Sequence, residues 1–486
     1  MHDTIAHILA SDWIYTVFAI AALGSTVLII MVILSENRNP VKSLAWVTIL
    51  LLLPVVGIIL YLFFGRSFKN VRMISRRNRR KLRRREKRTL ISPESQGLSS
   101  SSIQQIKLGR SLTGAQFYTD NCVEIFSDGT SKFEALKRDL LLAKHSINIQ
   151  YYIFEDDKLG REFADILIAK AAQGVKVRLI YDHVGSIKVR SSFFKELREK
   201  GVETYPFFKV TFPSLATRVN WRNHRKICII DNAVGYIGGM NVADRYIDGG
   251  KKFESWFDAH VRVTGPVVAA LRYSFTVDWN FMGRGLIEDS ECLDDSTFPH
   301  FGVPDVGAQL LTSGPTSQWA NIALAFHKAI STARRRVFIL TPYFLPTEAL
   351  LKALQSAALS HVDVRIIMPR RSDSTMLTYA SASYISQCLQ AGIKVYLYEA
   401  GMLHAKCMII DDELVTIGST NFDFRSFECN FESNLFMYSK ELCSKAIEIF
   451  KDNLKRSTRV QQVEWKRRPL TRKVGESVLR LLSPIL

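Results

Sequence analysis

Residues 224–241 read HRKICIIDNAVGYIGGMN, and residues 404–421 read HAKCMIIDDELVTIGSTN. Both are H-x-K-x4-D followed by two small residues and then an asparagine, ten positions after the aspartate. With average composition, a single H-x-K-x4-D has odds of roughly a few in a hundred in a chain this long. Two copies ending in the same way indicate an internal repeat.

The repeat extends outward from these stretches. Ser146–Phe154 (SINIQYYIF) matches Arg336–Phe344 (RVFILTPYF), each after a predicted helix, Lys132–Lys144 or Ile322–Arg334. Another predicted helix follows, then the apolar runs Val175–Tyr181 and Val362–Met368, then Leu197–Tyr205 and Leu389–Tyr396. Strands alternating with helices of this length predict two tandem α/β halves with parallel pairing at the centre of each. The shared order of parts predicts a pseudo-two-fold pair packed face to face, half 1 over residues 111–300 and half 2 over 301–486.

Within each motif the apolar run after the lysine reads as a buried strand. Residues i and i+2 share a strand face, so His224 points with Lys226 and His404 with Lys406. Asp231 and Asp411 have the opposite parity and belong at the strand end, ordering the motif more than touching substrate. Gly238-Gly239 and Gly418-Ser419 let a return strand approach closely. That brings Asn241 and Asn421 beside the basic pairs. Two histidines, two lysines and two asparagines describe a phosphate pocket: lysine compensates charge, asparagine donates hydrogen bonds, and imidazole attacks phosphorus or moves a proton. No H-E-x-x-H or Asp-rich box is present, and a lysine beside each histidine repels a cation, so no metal or other cofactor is expected. The remaining histidines (His2, His7, His145, His183, His260, His300, His327 and His361) read as structural.

The N-terminal region is of another kind. Trp13 to Leu34 runs 22 residues without a charge and Leu44 to Phe64 runs 21. Each is long enough, at 1.5 Å per residue, to cross about 30 Å of hydrocarbon. A signal peptide fits poorly, because His2, Asp3 and Asp12 replace a basic leader and a second apolar run follows at once. Residues 1–65 are therefore predicted to be a two-helix transmembrane hairpin, with Pro54 and Gly57 tolerated inside the second span and able to kink it. Residues 66–110 form a basic juxtamembrane segment and linker. Between Arg66 and Arg88 stand thirteen Arg or Lys against one acid, Glu86, so this tract holds 12 of the chain's 19 net positive charges. Beside a membrane span such a tract suits an anionic leaflet, with nucleic acid as the rival partner. Residues 91–103 (ISPESQGLSSSSI) read as a flexible linker. The seven cysteines, without C-x-x-C spacing, read as reduced buried thiols.

The duplicated motifs resemble those of the phospholipase D superfamily over about residues 115 to 440. The resemblance implies an enzyme in which one histidine forms a phosphohistidine and the other protonates the leaving group, each imidazole supported by an acid. By motif position these acids are Asp258 and Glu432, with Glu254 and Glu428 as rivals. A finer resemblance is to bacterial cardiolipin synthases. It rests on Asn37-Arg-Asn-Pro40 before Leu44-Ala-Trp46, Phe63-Phe-Gly-Arg66, Arg222-Asn-His224, Asn421-Phe-Asp423-Phe-Arg425-Ser426-Phe, and the terminal Leu481–Leu486. It implies a phosphatidyltransferase of the cell (inner) membrane that acts on phosphatidylglycerol among anionic lipids, with no nucleic acid partner. A lipid hydrolase, or a transferase using another alcohol, is the alternative. Two segments carry open readings. Pro206–Phe212 is either interfacial or ordinary core, and Val474–Leu486 either lies on the membrane or caps half 2.

Positive residues stay on the cytoplasmic side, so the 36–43 loop is expected outside and the large C-terminal part inside. A phosphatase that works only outside the cytoplasm should be active when fused in that loop and silent when fused after Arg110. The reverse pattern would reject a cytoplasmic site.

Overall fold

The computed structural model describes residues 2–35, 40–61, 65, 71–85, 92–210, 220–287 and 297–483. The end of the predicted second span (62–64), much of the basic tract (66–70 and 86–88) and residues 484–486 lie outside the described residues. The chain divides into two units, residues 1–68 with 210–220, and residues 69–209 with 221–486.

In the first unit a helix runs from His2 to Ser35, and its stretch Tyr15–Leu34 is long and apolar enough to cross a membrane. The second predicted span differs from expectation. It is split into Pro40–Leu52 and Pro54–Leu60. Pro54 fixes its own φ and bars Leu53 from helical geometry (φ −136°, ψ 69°), so one helix stops and the next starts with proline at its first position. The two pieces still pack on the first helix, through Ile33, Leu50 and Tyr61, with Trp46 edge-on to Tyr61 at 5.4 Å. Among the described residues one helix alone is long enough to span unaided.

The second unit is α/β. Half 1 contributes seven strands to its main sheet: β1 (Tyr118–Phe126), β2 (Ser146–Tyr151), β3 (Lys176–Asp182), β4 (Glu203–Phe207), β5 (Ile227–Ile230), β6 (Val234–Gly238) and β7 (His260–Thr264). Half 2 contributes eight: β8 (Val303–Ser313), β9 (Arg336–Leu340), β10 (Asp363–Pro369), β11 (Lys394–Tyr398), β12 (Cys407–Ile410), β13 (Leu414–Gly418), β14 (Glu432–Tyr438) and β15 (Ser457–Arg459). The order is β15-β11-β10-β9-β12-β13-β14-β8-β1-β7-β6-β5-β2-β3-β4. The predicted parallel centres are β2–β3–β4 and β9–β10–β11, while the motif strands β5 and β12 pair antiparallel with β2 and β9.

The halves join by an antiparallel ladder between β1 and β8, which runs the two sheets into one. They also approach across a seam, β6 toward β13, and both main cores draw side chains from both halves. Sequence periodicity signalled only the packing across the seam. Residues 92–113 are not a free linker. Ser99 caps the helix Ser100–Thr113, which buries Gln105 and Ile106, and the Ser99 and Ser102 hydroxyls donate to the Glu413 carboxylate. The serine run that suggested flexibility makes a docked helix start.

Phe207 and Phe208 pack on Phe281 and Phe431, so this part of the Pro206–Phe212 segment is core, and residues 211–212 lie outside the described residues.

Each motif aspartate sits on the turn after its strand at positive φ, Asp231 at 50° and Asp411 at 52°. The Asp231 carboxylate accepts from the N–H groups of Lys144, His145 and Ser146 at 2.7–2.8 Å. Asp411 accepts from Arg334, Arg335 and Arg336 at 2.7–3.1 Å. Each ties the motif strand to the start of the neighbouring β2 or β9. Replacing either with alanine strips three backbone donors of their acceptor and should cost about 2–4 kcal/mol. Asparagine, which keeps an acceptor and tolerates positive φ, should cost less. Melting of the purified variants checks this, and equal losses for Ala and Asn would refute the capping role.

Candidate active site

The segments that lead into β5 and β12 lie at the seam, where the two halves hold each other's backbone. His224 N donates to Phe431 O at 3.0 Å, and His404 N donates to Phe257 O at 2.7 Å. Trp256–Phe257 pairs parallel with Met402–Leu403, and Asn223 bridges to Phe431. Each histidine is therefore fixed by a segment of the opposite half. Both rings line one cavity of about 1120 Å³.

The supporting acids cross the seam as well. His224 Nδ1 lies 3.0 Å from Glu432 Oε1, and His404 Nδ1 lies 2.7 Å from Asp258 Oδ2. An Nδ1–H donated to a carboxylate leaves Nε2 unprotonated, and on His404 that nitrogen lies 3.2 Å from Lys406 Nζ. Glu254 and Glu428 do not line the cavity. Both acids are wholly buried, and burial pushes Asp258 up to about 6 against the pull of Lys406. Burial also lowers His224 below the ordinary imidazole range, opposed by Glu432. It lowers His404 further, with Lys406 adding to the effect.

The lysines do not line the cavity. They lie buried beneath the imidazoles, where Lys226 Nζ donates to His224 O at 2.5 Å and Lys406 Nζ to His404 O. Lys406 Nζ is also 2.6 Å from His404 Nδ1. That nitrogen cannot both donate to Asp258 and accept from Lys406, and the carboxylate's charge favours donation to Asp258. Burial draws Lys406 down to about 8 and Lys226 well below the usual lysine range. Asn241 and Asn421 both line the cavity. Asn241 accepts from Ile153 N at 3.0 Å and donates to Tyr246 Oη at 2.5 Å, which fixes its amide with one N–H left. Asn421 hydrogen-bonds Asp423. Asp231 and Asp411 stand outside the cavity, at the turns described above.

The two small-residue pairs differ in a telling way. A Cβ on Gly239 would come within 2.1 Å of Asp258 Oδ1. At the matching position of half 2, Ser419 instead donates its hydroxyl to Glu432 Oε2. One acid is given room and the other a hydrogen bond.

Sequence reasoning missed the aromatic walls. Tyr152 stands edge-on to His224 at 5.0 Å, and Trp256, Tyr246 and Tyr343 surround His404 at 5.4–6.4 Å. Tyr152 and Tyr343 follow the ends of β2 and β9 at positions the repeat does not match, so no repeated residue signalled them. Six cations line the cavity, Arg222, Arg245 and Arg425 with Lys188, Lys251 and Lys252, opposite six acids, Glu155, Asp157, Asp244, Asp248, Asp373 and Asp423. Arg222 pairs with Asp182 at 3.3 Å, and Asp182 also accepts from Asn223 N at 2.9 Å, ordering the approach to His224. Among the described residues no three His, Cys, Asp or Glu side chains are grouped to hold a metal ion.

The arrangement offers two imidazoles lining one aromatic-walled space, suited to a double displacement at phosphorus. Comparison with known proteins agrees. Residues 136–279 and 326–454 match the family described as cardiolipin synthase, PLD-like domain, and residues 24–66 match the phospholipase D-nuclease N-terminal family. The chain is similar to the major cardiolipin synthase ClsA of Bacillus subtilis (40% identical, covering 94% of this chain and 96% of that protein). It is likewise similar to cardiolipin synthase 2 of Bacillus cereus (39%, covering 95% and 90%). Its fold is like that of phosphatidylserine synthase from Haemophilus influenzae, with TM-score 0.61 and 13% identity over 79% of this chain and 100% of the other.

If the acid–imidazole pairs orient the rings, Gly239→Ala should push Asp258 off His404 and lower kcat by about a hundredfold. Gly238→Ala, which crowds Ala259 and His260, is the control for general damage at the same turn. Activity should also fall as pH drops through about 6, where Asp258 takes up a proton and releases the imidazole. Because the folded-state value is raised above the usual 3.8, that protonation does not destabilise the fold. Activity lost without unfolding below pH 6 is the expected signature, and loss only on unfolding would refute it.

Proposed function

The chain belongs to the cardiolipin synthase family of PLD-like proteins, and from that premise we propose that it transfers a phosphatidyl group from one phosphatidylglycerol to another, giving cardiolipin and glycerol. One observation carries the reading: two motif histidines, each paired with an acid of the opposite half, face a single cavity.

In this scheme His224 Nε2 attacks the phosphorus of the first phosphatidylglycerol. His404, protonated, gives its proton to the departing glycerol oxygen. The phosphatidyl group stays on His224, whose developing positive charge is stabilised by Glu432. His404, now neutral and held by Asp258, takes the proton from the free glycerol hydroxyl of a second phosphatidylglycerol. That oxygen attacks phosphorus, His224 leaves, and cardiolipin forms. Two inversions give retention at phosphorus. Lys226 and Lys406 supply positive potential from beneath, and the asparagine amides orient the non-bridging oxygens. The number of phosphodiesters is unchanged, so the reaction should run backward with added glycerol.

The proposed setting is the cell membrane, crossed by the helix containing Tyr15–Leu34 and by the broken pair Pro40–Leu60, with the catalytic unit in the cytoplasm. The basic tract with its helix Arg76–Arg85 supports an anionic leaflet as the neighbouring surface.

Purified protein in chelator, given phosphatidylglycerol labelled in its headgroup, should release labelled glycerol and form cardiolipin without nucleotide. Phosphatidic acid as the main product would make it a hydrolase, and a requirement for a cytidine-activated lipid would overturn the scheme. His224→Ala and His404→Ala should each abolish turnover, with the double variant no worse, because residues acting as a unit are non-additive.

A further inference from the structure

The helix Leu470–Leu481 is mounted the wrong way round for a soluble protein. Its apolar residues Leu470, Val474, Val478 and Leu481 share one face by spacing and are 74, 54, 53 and 80% exposed. It meets the protein through Leu479, Glu476 and Arg480. Glu476, the helix's one acid, is buried between Arg468 at 2.7 Å and Arg472 at 3.1 Å. Arg480 reaches Gln387 at 3.3 Å and covers the Tyr384 ring at 4.3 Å. A helix closing a globular core buries its apolar stripe; this one hides its acid and shows the stripe.

Its position links it to the catalytic cavity. The helix packs on Thr375–Gln390, whose Leu377 lines that cavity. Met376 and Tyr379, on the first turns of that same helix, are exposed, and Arg472 lies 6.0 Å from the Tyr379 ring. Lys251 and Lys252 line the cavity and are exposed as well. Lys466 and Arg467, just before the amphipathic helix, are also exposed, and Lys473 is half-buried on it. An apolar stripe beside cations, with the acid neutralised, is the pattern of a helix that lies in an anionic lipid interface.

We propose that the helix Leu470–Leu481, continued by Met376 and Tyr379, seats the cavity mouth on the anionic bilayer surface, so that a lipid headgroup reaches the histidines while its acyl chains stay in the membrane. The proposal rests on a lipid substrate at that cavity. It concerns a contact separate from the N-terminal spans, one that lies in the bilayer interface without crossing it.

The test uses the full chain reconstituted in vesicles of phosphatidylglycerol and phosphatidylethanolamine. Spin labels at V474C and V478C should collide more with oxygen than with a water-soluble nickel chelate, whereas a label at K466C should stay aqueous. V474D/V478D should lower turnover of vesicle phosphatidylglycerol by about tenfold while leaving turnover of a monomeric short-chain phosphatidylglycerol in detergent unchanged. Loss on both substrates with a lowered melting temperature would show misfolding, and the label depths in the otherwise native chain then decide. Aqueous labels at both sites would overturn the proposal, as would close label-to-label distances between two copies, which would make the stripe a dimer face. If the native chain makes no cardiolipin from either substrate, the enzymatic reading fails instead, while interfacial labels would still stand.

Discussion

A carboxylate sealed away from water must have a cation or a hydrogen-bond donor, because the penalty for burying it alone is several kcal/mol. Asp258 and Glu432 are both sealed in this way, and each finds its imidazole on the other half of the chain. The active site therefore cannot exist in either half alone. The edge ladder between β1 and β8 and the backbone bonds of His224 and His404 hold the halves in the register that makes both pairs at once. The dependence runs both ways: separating the halves would leave two buried acids without partners.

The repeat is symmetric in plan and asymmetric in detail. Gly239 makes room for Asp258, whereas Ser419 hydrogen-bonds Glu432. Asp258 thus lacks a hydroxyl donor that Glu432 has, and burial raises it to about 6. On the Glu432 side, the Ser419 hydroxyl adds a hydrogen bond to the acid beside His224. These differences give the two imidazoles unequal surroundings although their motifs are nearly identical. That inequality is what a nucleophile and an acid acting on the same phosphorus require.

Much of this was legible in the sequence because strand parity is strict. The i, i+2 rule put His224 with Lys226 and His404 with Lys406, and opposite parity put Asp231 and Asp411 on turns, where their carboxylates accept three backbone N–H groups each. Parity says which way a side chain points and not how deep it sits, so the lysines were expected on the cavity wall and lie beneath it. The crossing of the acid pairs was not legible, since nothing local in Trp256–Asp258 or Phe431–Glu432 reports which half will be opposite. Pro54 was visible, but its effect on the second span depends on whether Leu53 can keep helical geometry, which a hydropathy count does not ask. The serine run at residues 99–102 misled because the same residues that loosen a linker also cap a helix when an acid such as Glu413 is near.

The charge balance of the cavity explains how burial-lowered histidines can still supply an acid. Lys226 and Lys406 balance Asp258 and Glu432 around two neutral imidazoles, and the six cations of the lining balance its six acids, so the charges sum to zero in the empty site. A phosphodiester brings one negative charge into this low-dielectric space, where a net charge is costly. The least expensive correction is a proton on an imidazole, and only the substrate's arrival makes it favourable. On the proposed scheme, therefore, the substrate itself charges the general acid, and the nucleophile stays neutral because a second proton would unbalance the site again. When the first glycerol departs with that proton, the phosphatidyl group and the imidazole that carries it take over the charges the substrate and the acid had held. The emptied imidazole is then left as a base beside the cavity mouth, ready for the next hydroxyl that enters. Water would serve as well as a lipid hydroxyl on these terms, so nothing in the histidines selects the acceptor. Selection falls to what reaches the cavity, and aromatic walls with the lipid-facing mouth proposed above would favour a hydroxyl that comes attached to the membrane.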